Sequence, residues 1–224
     1  MTLAAQGGRG RGSLQGGAPV IYDISPPISD HLCVWPGDTP VRREVLCSLD
    51  RGDNITLSTL HATVHLGAHA DAPSHYGRGA PAINERRLDL YLGPCQVLRV
   101  SVQRNGLVTP GMIAPPFRAE RLLLATGTFP DSHVFNEDFA ALTPDLVALL
   151  ARHGVRLIGV DTPSVDPFTS KDLPTHHAAL EHDLAILEGL VLAEVPEGVY
   201  ELIALPLKLV GFDASPVRAI LRTL

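Results

Sequence analysis

Basic charge, cysteine and long apolar runs are all in short supply in this 224-residue sequence. Lysine and arginine number 18 against 24 aspartates and glutamates, a net charge of −6. Nucleic-acid partners need a basic face, so a small-molecule partner is expected instead. The three cysteines, Cys33, Cys47 and Cys95, are odd in number and stand at no metal spacing. They exclude a disulfide framework and a zinc finger, and read as small buried hydrophobes in a reducing compartment. No apolar run reaches the roughly 20 residues that cross a bilayer, because charges such as Glu188 and Lys208 interrupt each stretch. The N-terminus also lacks the basic-then-apolar plan of a signal peptide, so a cytoplasmic protein without a membrane partner is expected. Aromatic residues make up 5% of the chain and include one tryptophan, Trp35.

What remains is ordinary globular composition, 45% apolar and 19% charged, and enough chain for one domain with a substantial core. Residues 1–18 offer almost nothing to bury and are expected to form a disordered extension, leaving 19–224 as the domain.

Histidine is concentrated where chemistry is expected. The stretch His65-Leu66-Gly67-Ala68-His69-Ala70-Asp71-Ala72-Pro73-Ser74-His75 places His65, His69, Asp71 and His75 at one parity. Side chains alternate along an extended backbone, so all four would project to one face. A straight strand would still hold His65 and His69 about 13 Å apart, too far for one ion. Bends are therefore expected at Gly67 and Pro73, which tolerate or impose unusual backbone geometry. The same two residues, and the lack of an HExxH glutamate, argue against a helix.

Further ligands must come from elsewhere. Glu188 is an acid in an apolar segment, and a buried carboxylate is costly unless it is paired or bound to a metal. His176 and His177 are the other candidates, and periodicity of a helix over 177–187 favours His177 as the partner of Glu188. His61, His133, His153 and His182 lack such company. Trp35 precedes a Pro-Gly turn, and both a core ring and a ring at a pocket edge fit that position.

Strands are expected near 20–24, 43–48, 54–64, 95–102, 121–125, 155–160, 190–195 and 200–210. A helix is expected over 144–153, capped by Thr143 and stopped by Gly154, with a helix or turn opening at Ser215. Many strands, few helices and no regular βαβ alternation predict a mixed, β-rich α+β fold.

These residues resemble the metal-dependent cyclase-like hydrolases, and among them the bacterial kynurenine formamidases. The likeness rests on His65 to His75, with Ala68 where many relatives have threonine. It extends through Val34 to Asp38, Ser170-Lys171, His176-His177, Ile186 to Gly189, Glu201 to Leu207 and Asp213 to Arg218, and so covers roughly 19–224. The resemblance implies a homodimeric, swivelling β/β/α fold with two Zn2+ per subunit, manganese being the alternative ion. By it, His65, His69 and Asp71 bind one ion, Asp71 bridges to a second, and His176, in preference to His177, completes the site with Glu188. His75 is the implied acid/base and Trp35 the implied substrate contact. The implied activity is arylformamidase, the hydrolysis of N-formyl-L-kynurenine to L-kynurenine and formate in tryptophan degradation. A cyclic-amide hydrolase opening isatin, and a non-catalytic metal-binding protein, are the alternatives.

Overall fold

The computed structural model describes residues 18–224, so the expectation of a disordered N-terminal extension lies, apart from Ala18, outside the described residues. In chain order the elements are β1 (Ile21–Asp23), β2 (Arg42–Cys47), β3 (Leu57–His61), β4 (His69–Asp71), β5 (Leu92–Arg99), β6 (Leu107–Val108), β7 (Arg121–Ala125), β8 (Ala141–Leu142), α1 (Pro144–Arg152), β9 (Leu157–Val160), α2 (Pro174–Glu181), β10 (Ala185–Glu188), β11 (Gly198–Ile203), β12 (Ala214–Pro216) and β13 (Ile220–Thr223). The fold is α+β and rich in strands, as composition and patterning predict.

Nine strands form one sheet in the order β1-β13-β11-β5-β7-β9-β10-β4-β12. Its centre, β5-β7-β9-β10, is parallel, and the flanking strands are antiparallel. Central parallel strands are covered on both faces, which explains why every residue of β7 and β9 is buried and why Leu122 to Ala125 and Leu157 to Val160 read as apolar runs. On one face Leu122, Leu124, Ile158 and Ile186 pack against Leu146, Val147 and Leu150 of α1 and Ala179 of α2. On the other face Ala70 of β4 and Leu221 of β13, from opposite ends of the strand order, share one apolar cluster, so the sheet curls. β2 and β3 pair only with each other, as a ribbon outside the main sheet.

Helix α1 forms as expected: the Thr143 side chain accepts from the Leu146 amide, Pro144 opens the first turn, and Gly154 leaves with φ +80°. The second helix departs from expectation. It runs Pro174–Glu181 rather than 177–187, because the chain turns through Asp183 at φ +51° and then enters β10. No strand covers 190–195; after Gly189, at φ +65°, the chain leaves the sheet. Ser215 lies in strand β12, not a helix, and Pro216 is tolerated there because β12 is the sheet's edge.

Candidate metal centre

Strand register assembles the site. In the antiparallel pair β10–β4, Glu188 lies opposite His69 and Ile186 opposite Asp71. Opposed residues share a face and alternate residues return to it, so His69, Asp71 and Glu188 all project toward the side carrying α2. Strand β4 is only three residues long, so the whole 65–75 stretch is not one strand. Gly67, at φ +53°, turns His65 back over β4, and a 3-10 turn at Pro73–His75 brings His75 to the same place. The two bends stand where glycine and proline predict them.

Helix α2 supplies His176 from its first turn, buried, while His177 is exposed and faces away. The periodicity argument for His177 therefore fails: it took Glu188 to be helical, whereas Glu188 lies on a strand and only residue 176 faces it.

Asp71 is the centre of the cluster. Its Oδ1 is 3.1 Å from His65 Nδ1 and 3.5 Å from His69 Nε2, and its Oδ2 is 3.3 Å from His176 Nε2. Glu188 closes the second side, with Oε2 at 3.4 Å from His69 Nε2 and Oε1 at 3.5 Å from His176 Nε2. Among the described residues, the groups able to hold an ion form two sets sharing Asp71: His65, Asp71 and His75, and His69, Asp71 and Glu188.

Each imidazole is fixed by its outer nitrogen. His69 donates Nδ1–H to the Gly67 carbonyl at 2.9 Å, and His176 donates Nδ1–H to Asp166 at 2.7 Å. Asp166 is wholly buried and also accepts from the Thr175 and His176 amides, both at 3.0 Å. His65 Nε2 contacts Asp213 Oδ2 at 3.0 Å. The remaining nitrogens all face carboxylate oxygens.

That arrangement fits a cation. His69 Nε2 and both oxygens of Asp71 are buried without a hydrogen-bond partner. Orphaned buried polar atoms are expensive, and lone pairs converging on lone pairs are satisfied by a positive ion. Imidazole nitrogens held by carbonyl or carboxylate partners are the usual surroundings of metal ligands.

Electrostatics show what the cluster does without such an ion. Burial opposes charge on His65, but its contacts with Asp71 and Asp213 outweigh that and hold its pKa up at about 9. His176 is likewise raised well above the ordinary histidine range, since Asp166, Asp71 and Glu188 overcome its burial. Asp71 is driven well below the carboxylate range by His176 and His65 despite complete burial. Protons on histidine thus substitute for metal charge. His75 behaves differently: burial lowers its pKa, Asp71 opposes, and positive neighbours add to the lowering.

A cavity of about 500 Å³ opens over the cluster. Trp35 is half-buried at its wall, answering the question left open by the sequence, with ring centroids 5.0 Å from Phe168 and 5.5 Å from Phe135. Phe129 packs on Phe135 at 5.6 Å and continues the aromatic side. Asp161, at the end of β9, accepts from Thr126 and Gly127 and braces the rim. Outside the site, His61 pairs with Glu44 and His153 with the Leu149 carbonyl.

Sequence reasoning missed Asp166, the supporting role of Asp213, and the phenylalanines. Asp166 lies in a proline-rich stretch with no periodicity, so only the position of α2 reveals it. An aspartate buried shortly before a helix N-terminus would have been the available signal.

Residues 22–167 match the family model described as "Putative cyclase", more than half of the chain. A solved structure described as a potential metal-dependent hydrolase with cyclase activity is 28% identical with TM-score 0.80, covering 92% of this chain and 99% of that one. A predicted metal-dependent hydrolase from Bacillus stearothermophilus is 29% identical with TM-score 0.79, again covering 92% and 99%. Isatin hydrolase A from Labrenzia aggregata, at 22% identity and TM-score 0.78 over 94% of this chain and 96% of that one, shares the fold. With its sequence match, its curled sheet and its Asp71-centred cluster, the chain belongs to the cyclase family.

Proposed function

We propose that the protein is a metal-dependent hydrolase of aryl formamides, converting N-formyl-L-kynurenine to L-kynurenine and formate in tryptophan degradation. One observation carries the metal-dependent part of the reading: the two buried oxygens of Asp71 face separate imidazoles, His65 and His69 on one side and His176 on the other. We assign His65, His69 and Asp71 to one ion and Asp71, His176 and Glu188 to a second, with Zn2+ as the ion and Mn2+ as its alternative. Divalent cations there supply Lewis acidity, polarising an amide carbonyl and acidifying water.

The chain's own residues do the rest. Trp35, Phe129 and Phe135 line the cavity and give an aryl group an apolar wall that holds the adjoining amide over the cluster. An aniline nitrogen leaves poorly as an anion, so it must receive a proton as the C–N bond breaks. His75 lines the cavity beside the ligand set, its ring centroid 4.2 Å from that of His65 and 6.1 Å from that of His176, which places an imidazole where that proton is needed.

Opening of a cyclic amide such as isatin is the second reading, supported by the shared fold of the isatin hydrolases. Hydrolysis of N-formyl-L-kynurenine and of isatin, assayed side by side before and after chelation and metal return, separates the readings. Turnover of the formamide that is lost on chelation supports the first. Turnover of isatin alone replaces it with the second, and a metal-loaded protein inert on both is a binding protein.

A homodimer is part of this proposal. The β2–β3 ribbon exposes Leu46, Leu57 and Leu60, each about half accessible, a surface suited to covering by a second copy. Light scattering at twice the chain mass would support it. The cysteines are all free, in keeping with a cytoplasmic setting, and no helix among the described residues is long and apolar enough to cross a membrane.

A further inference from the structure

His75 and His65 share more than proximity. Their ring centroids are 4.2 Å apart, and one carboxylate oxygen serves both: Asp213 Oδ2 is 3.0 Å from His65 Nε2 and 3.4 Å from His75 Nδ1. The other nitrogen of His65, Nδ1, is the one facing Asp71. A continuous polar chain therefore runs from Asp71 through His65 and Asp213 to His75.

The chemistry of that chain is directional. An ionised carboxylate only accepts, so His65 Nε2, hydrogen-bonded to Asp213 Oδ2, is held as N–H, and the same oxygen, in ion-pair contact with His75 Nδ1, favours the proton on that nitrogen too. For His65 in the metal-loaded protein this leaves Nδ1 as the nitrogen with its lone pair, on the side of Asp71. For His75 it leaves Nε2 as the nitrogen free to exchange a proton. Both imidazoles thus present a nitrogen to the same oxygen, His65 through a hydrogen bond and His75 through a longer contact.

The backbone around Asp213 is built to hold that oxygen still. Ala214 of β12 lies opposite Asp71 of β4 in the register. The Asp213 carbonyl accepts from the Ala72 amide at 2.8 Å, and the neighbouring Phe212 carbonyl accepts from Ile83 at 2.9 Å. The side chain itself is 47% accessible and lines the cavity, so it is not held there as core packing.

We propose that Asp213 is a positioning residue that sets the tautomers of His65 and His75 together, linking metal ligation to proton transfer. This rests on the reading that His65 is a ligand and His75 the proton-handling group. It brings the residue just before edge strand β12 into the reaction centre.

The test compares the zinc-loaded full chain with its Asp213→Ala and Asp213→Asn variants by long-range 1H–15N correlation of the histidine rings, together with metal content, kcat and KM for N-formyl-L-kynurenine. In the wild type, His75 should carry its proton on Nδ1 and His65 on Nε2. Asp213→Ala should mix the His75 tautomers and lower kcat by roughly ten-fold or more while KM changes little. Asp213→Asn keeps an acceptor oxygen, so it should restore the wild-type tautomers and lose less kcat than the alanine variant. Unchanged tautomers in Asp213→Ala, or shifted tautomers with unchanged kcat, overturn the proposal. A wild-type protein inactive on the formamide would defeat the proposed reaction instead, and the ring spectra would still decide the role of Asp213.

Discussion

Gly189 and Gly67 meet backbone to backbone: a Cβ at Gly189 would lie 2.1 Å from the Gly67 carbonyl oxygen. That oxygen accepts the Nδ1–H of His69, and Gly189 directly follows Glu188. Two glycines thus allow the segments bearing His69 and Glu188 to close on one point. Gly189→Ala adds a methyl to a residue at φ +65° and forces the carbonyl away. The expected cost is about 1–3 kcal/mol of stability, together with a fall in metal affinity of at least roughly ten-fold. Thermal melts and zinc titration check both.

Asp166 acts on His176 as the Gly67 carbonyl acts on His69. Replacing it with asparagine leaves one acceptor oxygen where two now serve, Oδ1 for the Thr175 amide and Oδ2 for the His176 amide and Nδ1–H, and removes the charge that holds Nδ1–H. Helix content by circular dichroism should stay near wild type. Affinity for zinc should fall by roughly ten- to a hundred-fold.

Metal binding should release protons. In the metal-free protein His65 keeps its proton up to about pH 9, and His176 is raised as well. A cation needs the lone pair that such a proton occupies, so affinity should climb as pH rises from 6 toward 9 and flatten for the His65 share above that. Calorimetric titration with zinc in buffers of different ionisation enthalpy measures the release directly. A pH-independent affinity would contradict these protonation states.

Much of the centre was legible because the chemistry is local in sequence. His65, His69, Asp71 and His75 lie within eleven residues, and Gly67 and Pro73 announce the bends that gather them. Glu188 was legible through cost, as an acid in an apolar run. The boundary of α2 was not, because nothing in the local pattern between Glu181 and Ala185 marks Asp183 as a left-handed turn. That single misplacement turned the helix-based choice toward His177. Strand β12 was hidden for a related reason: Ala214-Ser215-Pro216 has poor strand propensity and is held by its pairing with β4. The parallel centre was likewise invisible without the position of α2 between β9 and β10.

Trp35 should matter to substrate and little to the fold. It is half-buried among Phe135, Phe139 and Phe168 at the cavity wall. An aromatic contact is worth about 0.5–1.5 kcal/mol, so Trp35→Ala should raise KM for an aryl formamide by up to roughly ten-fold. Circular dichroism should stay near wild type with a melting point lowered by a few degrees for the lost ring contacts; a collapsed fold would identify Trp35 as a core residue instead.

Anomalous diffraction at the zinc edge, from crystals of the full chain grown with zinc, tests most directly whether Asp71 joins two ions. The account predicts two peaks, one on each side of the Asp71 carboxylate, the first within bonding distance of His65 and His69 and the second of His176 and Glu188. Peaks elsewhere, or imidazoles turned away from an empty Asp71, would contradict it.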